Sequence, residues 1–221
     1  MSIELLSNFF LLLSGLMAIF VIGIFSRYLE GRARITLIAI FVGWLVYAGT
    51  LGYEGIIASR VPPGPALLLI PVVVFLALFL VRHPSVRELA LKIPVGLLIG
   101  LQSFRVFVEI ALHELYQNQL IPRMLTFEGA NFDILVGLSA PIVAWLYTSR
   151  RINDSAVRLW SVAGIALLVN VIIMSFLTFA GILKTEIPNV GIGIFPFTFL
   201  PGFLAPLAMY LHVMLLRSLP R

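Results

Sequence analysis

Seven apolar stretches follow one another along this chain, each long enough to cross a bilayer as a helix, with only short connections between them. A spanning helix needs about 20 mostly apolar residues. The stretches cover residues 5–25, 35–53, 65–81, 93–117, 132–149, 159–183 and 198–216. Inside hydrocarbon every backbone N–H and C=O must be satisfied within the protein, which leaves helices or a closed barrel. Runs of this length predict helices, so the expected fold is an all-α integral membrane protein, a single domain at 1–221 built as a seven-transmembrane-helix bundle.

Composition supports the same reading. Hydrophobic residues make up 61% of the 221 and charged residues 11%, where soluble domains hold about 45–50% apolar residues. The Lys and Arg residues alternate between connections. Arg27, Arg32, Arg34, Arg82, Arg87, Lys92, Arg150, Arg151, Arg158, Arg217 and Arg221 fall on one side, and Arg60, Arg123 and Lys184 on the other. Positive residues stay on the cytoplasmic side, so the N-terminus is expected outside and the C-terminus inside, in a plasma or inner membrane. The net charge of +5 is then a topology signal and gives no reason to expect nucleic acid. Acidic residues gather on the outer side, at Glu4, Glu54, Glu114, Glu128, Asp133 and Glu186, which favours cations or basic ligands there.

The first apolar run lacks a basic leader and a small-residue cleavage motif, so it reads as a retained span. There is no cysteine, which excludes disulfides, thiolate metal sites and cysteine nucleophiles. The sequon Asn153-Asp154-Ser155 falls in an expected cytoplasmic connection, where it would be silent. The third and seventh spans both carry prolines, Pro65 and Pro71 in one, Pro201 and Pro206 in the other. Their positions suggest a three-plus-one-plus-three arrangement, although no residue-level repeat accompanies it. Gly96 and Gly100 form a GxxxG that suits close helix packing, within the bundle or between copies of the chain, and Gly49 and Gly52 suggest the same in the second span.

Candidate site residues cluster in the fourth span. Gln102, Arg105, Glu109 and His113 are three or four residues apart, so a continuous helix would carry them up one face. A charge at the bilayer centre costs about 2.5–3.5 kcal/mol on insertion scales and marks a functional-site hypothesis by default. At 1.5 Å per residue Arg105 would lie about 18 Å from the inner end of the span, facing a cavity that opens outward. An acid C-terminal to a base is the weaker order for an i,i+4 pair, so partners are expected from another helix. Glu128, Asn131 and Asp133, at the mouth of the fifth span, are the best placed, with Tyr53 and Glu54 near the rim.

Three readings stay open. The polar residues form a network that only locks helices together. Alternatively they bind or transport a small polar or amphiphilic molecule or ion from the outer side, with Arg105 holding an anion or Glu109 a proton or cation. In the third, Glu109, His113 and Asp133 bind a divalent transition metal and serve a metal-dependent intramembrane hydrolase. His83 reads as a loop residue, and His212, in the inner half of the last span, as a packing histidine that cannot reach His113. Asn170 is expected to bond across helices, and Trp44, Trp145 and Trp160 to pack or anchor.

The seven-span, N-outside plan resembles the microbial rhodopsins in architecture alone. The last span has no lysine, so the retinal Schiff base has no attachment point there. It also resembles the alkaline ceramidases in span count, but three histidines at the wrong depths do not make their metal site.

Overall fold

The computed structural model describes residues 1–59, 64–75 and 84–220, with nothing taken from the side chains of 84–87. The last six residues of the expected third span, 76–81, together with Arg60, Arg82, His83 and Arg221, lie outside these residues. The described chain is helical and contains no strand.

Its helices are α1 (Ile3–Tyr28), α2 (Gly31–Tyr53), α3 (Gly64–Phe75), α4 (Pro84–Lys92), α5 (Val95–Leu101), α6 (Phe104–Gln117), α7 (Ile134–Thr148), α8 (Asp154–Phe179) and α9 (Ala205–Ser218). Among the described residues, five segments are long and apolar enough to cross a membrane: α1, α2, α5 with α6, α8, and the stretch Leu200–Ser218. The outward faces of the long helices are apolar as well. Leu12, Ile19, Ile40, Val46 and Leu159 are each at least 60% exposed. In water such surface would be unburied, whereas lipid supplies the missing contacts.

Local chemistry sets the helix starts. The Ser2 hydroxyl accepts from the Leu5 backbone N–H to cap α1, and Asn153 Oδ1 accepts from Ala156 N at 3.0 Å to cap α8. Before α9 the chain makes one π turn at Leu200–Leu204, a wider winding in which the Gly202 carbonyl accepts from Trp44 Nε1 at 2.7 Å. α9 packs against α4, α5 and α8, while α7 packs against both α5 and α6.

Two expectations change in detail. The fourth span is not one continuous helix, because Gln102 and Ser103 form a turn between α5 and α6. There the backbone N–H groups of Gln102, Ser103, Arg105 and Val106 reach back three residues, to Ile99, Gly100, Gln102 and Ser103. This is tighter than the four-residue step of an α-helix. The helix expected over 132–149 is also shorter than expected, and falls below the length of a membrane span. α7 has 15 residues, about 22 Å of helix, because the chain from 118 to 133 folds across the end of the bundle.

Contacts between remote residues sort the ends of the helices. The Met1 ammonium meets Glu114 at 2.7 Å and Asn118 donates to the Met1 carbonyl, so the N-terminus and the end of α6 share one end of the bundle. Leu120 O receives N–H bonds from Val190 and Gly191, which adds the α8–α9 connection to that end. At the other end Arg158 donates to Pro220 O at 2.5 Å, and Tyr147 to Asp154 at 2.8 Å.

Candidate functional site

The turn at Gln102–Ser103 delivers Arg105 to the first turn of α6, beside α7 and within reach of His212 on α9. Its guanidinium has donors only, and each nitrogen is engaged. Nε donates to Asp133 Oδ2 at 2.6 Å, and Nη2 donates to Asp133 Oδ1, a two-point pairing of the fork with the carboxylate. Nη1 lies 2.9 Å from His212 Nε2.

That last contact fixes the imidazole. Since the guanidinium cannot accept, Nε2 of His212 must, and the ring proton then sits on Nδ1. Nδ1 donates to Ser161 Oγ at 3.1 Å, and the Ser161 hydroxyl donates to the His212 carbonyl at 3.3 Å. Ser161 therefore receives a proton bond from the histidine and gives its own to backbone, the reverse of what a histidine-activated nucleophile needs. The ring also lies 5.5 Å from Trp160, centroid to centroid. Gly164 makes room for it, because a Cβ there would sit 2.5 Å from His212 Cε1.

Glu109, one turn beyond Arg105, is held by Asn131. The Asn131 Oδ1 accepts from the backbone N–H of Asp133 at 3.0 Å, an Asx turn that orients the amide. Its Nδ2 then faces inward, 2.8 Å from each Glu109 oxygen and 3.0 Å from Leu125 O. Two amide hydrogens serve three acceptors, so one is shared across the carboxylate. Asp133 occupies the N-cap position of α7 without a side-chain cap bond, since both of its oxygens go to Arg105. Gly137 on α7 permits this approach, as a Cβ there would come 2.8 Å from Val106 N.

Arg105, Glu109, Asn131, Asp133, Gln102 and His212 are each at most 5% exposed. Gln102 donates to Ala208 O at 3.1 Å, one turn before His212. His113 lies apart from this cluster. It is half-buried, stacks on Phe127 at 4.9 Å, and places Nδ1 3.8 Å from Glu128 Oε1. Glu128 is exposed and also faces Arg123 at 3.8 Å. Tyr53, the last residue of α2, and Glu54, which follows it, are exposed. Among the described residues, no three His, Asp or Glu side chains gather in a way that could hold a metal ion.

The structure thus brings Arg105, Glu109, Asn131 and Asp133 together, leaves His113 and Glu128 at the rim, and adds His212 and Ser161, which the sequence reading left out. The depth argument hid His212. Arg105 lies about 12 residues before the end of α6, and His212 about 12 residues after Leu200, so each is ~18 Å from the same end of the bundle. The small pair Ser161 and Gly164, three apart on α8, was the available signal for a niche facing a large side chain.

In charge the cluster is uneven. Arg105 and Asp133 neutralise one another. Glu109 has an uncharged amide as its hydrogen-bond partner, and His212 accepts as a neutral ring. With both carboxylates ionised, one negative charge is left over in a dry site.

Residues 62–220 match the family model described as Domain of unknown function (DUF8737), a stretch that contains every member of this cluster. No curated protein matches the chain, and no solved structure matches it.

Proposed function

The chain belongs to the DUF8737 family, a domain of unknown function that spans the whole polar cluster, and from that premise we propose that it is a multi-pass membrane protein binding or transporting a small cation or proton at Glu109. The bundle crosses a plasma-type or inner membrane seven times, with the N-terminus outside and the C-terminus inside. The alternation of Lys and Arg between connections supports this orientation, and the pairing of Met1 with Glu114 and of Arg158 with Pro220 puts the two termini at opposite ends of the bundle, as an odd number of spans requires.

One observation carries the functional reading: Glu109 is 1% exposed, yet the neighbouring guanidinium is already matched by Asp133. A buried carboxylate without its own cation is costly, and a proton or small cation removes that cost. Arg105 plays a different part from the anion-holder that the sequence alone suggests. Each of its three nitrogens is bonded to Asp133 or His212, so it locks α6, α7 and α9 around the site, and Glu109 is the exchangeable position. Acidic residues on the same end of the bundle, Glu114, Glu128 and Glu186, favour cation approach from outside.

Infrared spectroscopy of the reconstituted protein tests this directly. A carboxylic-acid carbonyl band that converts to carboxylate as pH rises or cation is added, and is missing from Glu109→Gln, is expected. The same substitution should abolish cation- or proton-dependent flux into liposomes while the protein still folds, because a glutamine oxygen can accept from Asn131. A wild-type spectrum in which neither proton nor cation touches a Glu109 band would remove the proposal.

A further inference from the structure

The face of α9 that carries Leu207, Tyr210 and Met214 turns away from His212 and, with α1, α2, α3 and α4, encloses a cavity of about 660 Å³. Small-molecule sites typically measure ~300–1,000 Å³. The walls are almost wholly apolar, with Phe25, Phe41, Trp44, Phe75 and Leu207 among them, and Trp44 has its indole N–H occupied by Gly202 O. Glu88, Lys92 and Tyr210 supply the polar edge.

Charge at that edge is unequal. The junction of α1 and α2, residues 27–34, borders the cavity through Leu29 and Ala33 and carries Arg27, Arg32 and Arg34, all exposed, against Glu30. Taken with Lys92 and Glu88 from the lining, these described residues carry four cations and two carboxylates. An apolar chamber between apolar helices, opening beside a net positive edge, matches an amphiphile with a long tail and an anionic head.

We propose that this cavity is a lipid site that takes an acyl chain of an anionic phospholipid from the surrounding bilayer, with the phosphate held near Lys92 and the α1–α2 arginines. The assignment rests on the bilayer reading above and is independent of Glu109.

Trp44 provides the reporter. A protein carrying Trp145→Phe and Trp160→Phe keeps Trp44 as its only tryptophan. It is titrated in nanodiscs with phosphatidylglycerol or phosphatidylcholine brominated on the acyl chains. Half-maximal quenching is expected at about five-fold lower mole fraction, or less, for the anionic lipid, and Lys92→Gln should move that curve about five-fold toward the zwitterionic one. Lys92 is exposed, so its loss does not threaten folding. Leu207→Phe narrows the cavity and should lower maximal quenching by both lipids. Identical curves for the two lipids in the parent protein would overturn the proposal, as would quenching that ignores Leu207→Phe. Recovery of emission on adding unbrominated phosphatidylglycerol supports it, and recovery with free oleate alone overturns the phospholipid assignment. None of these readouts involves Glu109, so the failure of one site is distinguishable from failure of the other.

Discussion

Arg105 joins more of this protein than any other side chain in the buried cluster. It reaches Asp133 at the start of α7 and His212 in α9, and through the imidazole it reaches Ser161 in α8. Removing one member of a buried ion pair leaves the other without compensation, at roughly 3–5 kcal/mol. Arg105→Ala should therefore lower the thermal unfolding midpoint in detergent far more than Glu109→Gln does. Arg105→Lys should fall between them, because a lysine keeps the charge and loses the two-point fork. An Arg105→Ala midpoint equal to wild type would show that the pair holds nothing together. At this scale the sequence was informative where cost is local. An arginine and a glutamate in an apolar run demand partners, and the polar string 128–133 was the nearest supply. His212 escaped because its partner is set by how two antiparallel spans register in depth, which no local spacing reports.

Between elements the deciding contacts are glycines. Gly96 and Gly100 turn toward α7, where a Cβ at Gly96 would lie 2.6 Å from Thr148 Cγ2 and one at Gly100 only 3.9 Å from Ala144 Cβ. Gly137 is tighter in kind, with backbone as well as side chain in the way. Gly137→Ala should cost about 1–3 kcal/mol, as overpacking of a close interface does, and should loosen Asp133 from Arg105. Gly100→Ala meets ordinary van der Waals contact and should leave the unfolding midpoint within error. Equal effects for the two would contradict the helix approach described here. The GxxxG was legible as a packing signal, but its partner helix was not, since small residues mark closeness without naming the neighbour. The short α7 was hidden for another reason. Residues 118–133 are apolar enough at Leu120, Ile121, Met124 and Leu125 to pack across the bundle end, which shortens the helix that follows.

For the whole molecule, the proposed orientation divides the connections into two sets that a membrane-impermeant thiol reagent can separate. The chain has no cysteine of its own, so Lys184→Cys and Ser155→Cys report cleanly, both positions being exposed. Labelling of Lys184→Cys on intact cells, and of Ser155→Cys only after permeabilisation, is expected. The reverse pattern would invert the topology, and with it the side from which the proposed proton or cation reaches Glu109. Five helices meet the length and hydropathy of a span within the described residues. Composition alone made that much legible, because apolar runs of this length have few other fates. Helix breaks and end-capping segments depend on contacts between spans and came only with the structure.

The tight turn at Gln102–Ser103 bears on how such a bundle would open. Below the turn, α5 is pressed against α7 at Gly96 and lies along α9; above it, α6 lies along α1 and carries Arg105 and Glu109. A rod with a step at that height is clamped on both sides of it, since α7 packs against each half. The half bearing the charged residues is fastened to the segment 118–133 through Arg105 with Asp133 and Glu109 with Asn131, so exposing Glu109 from that end means parting those two ties.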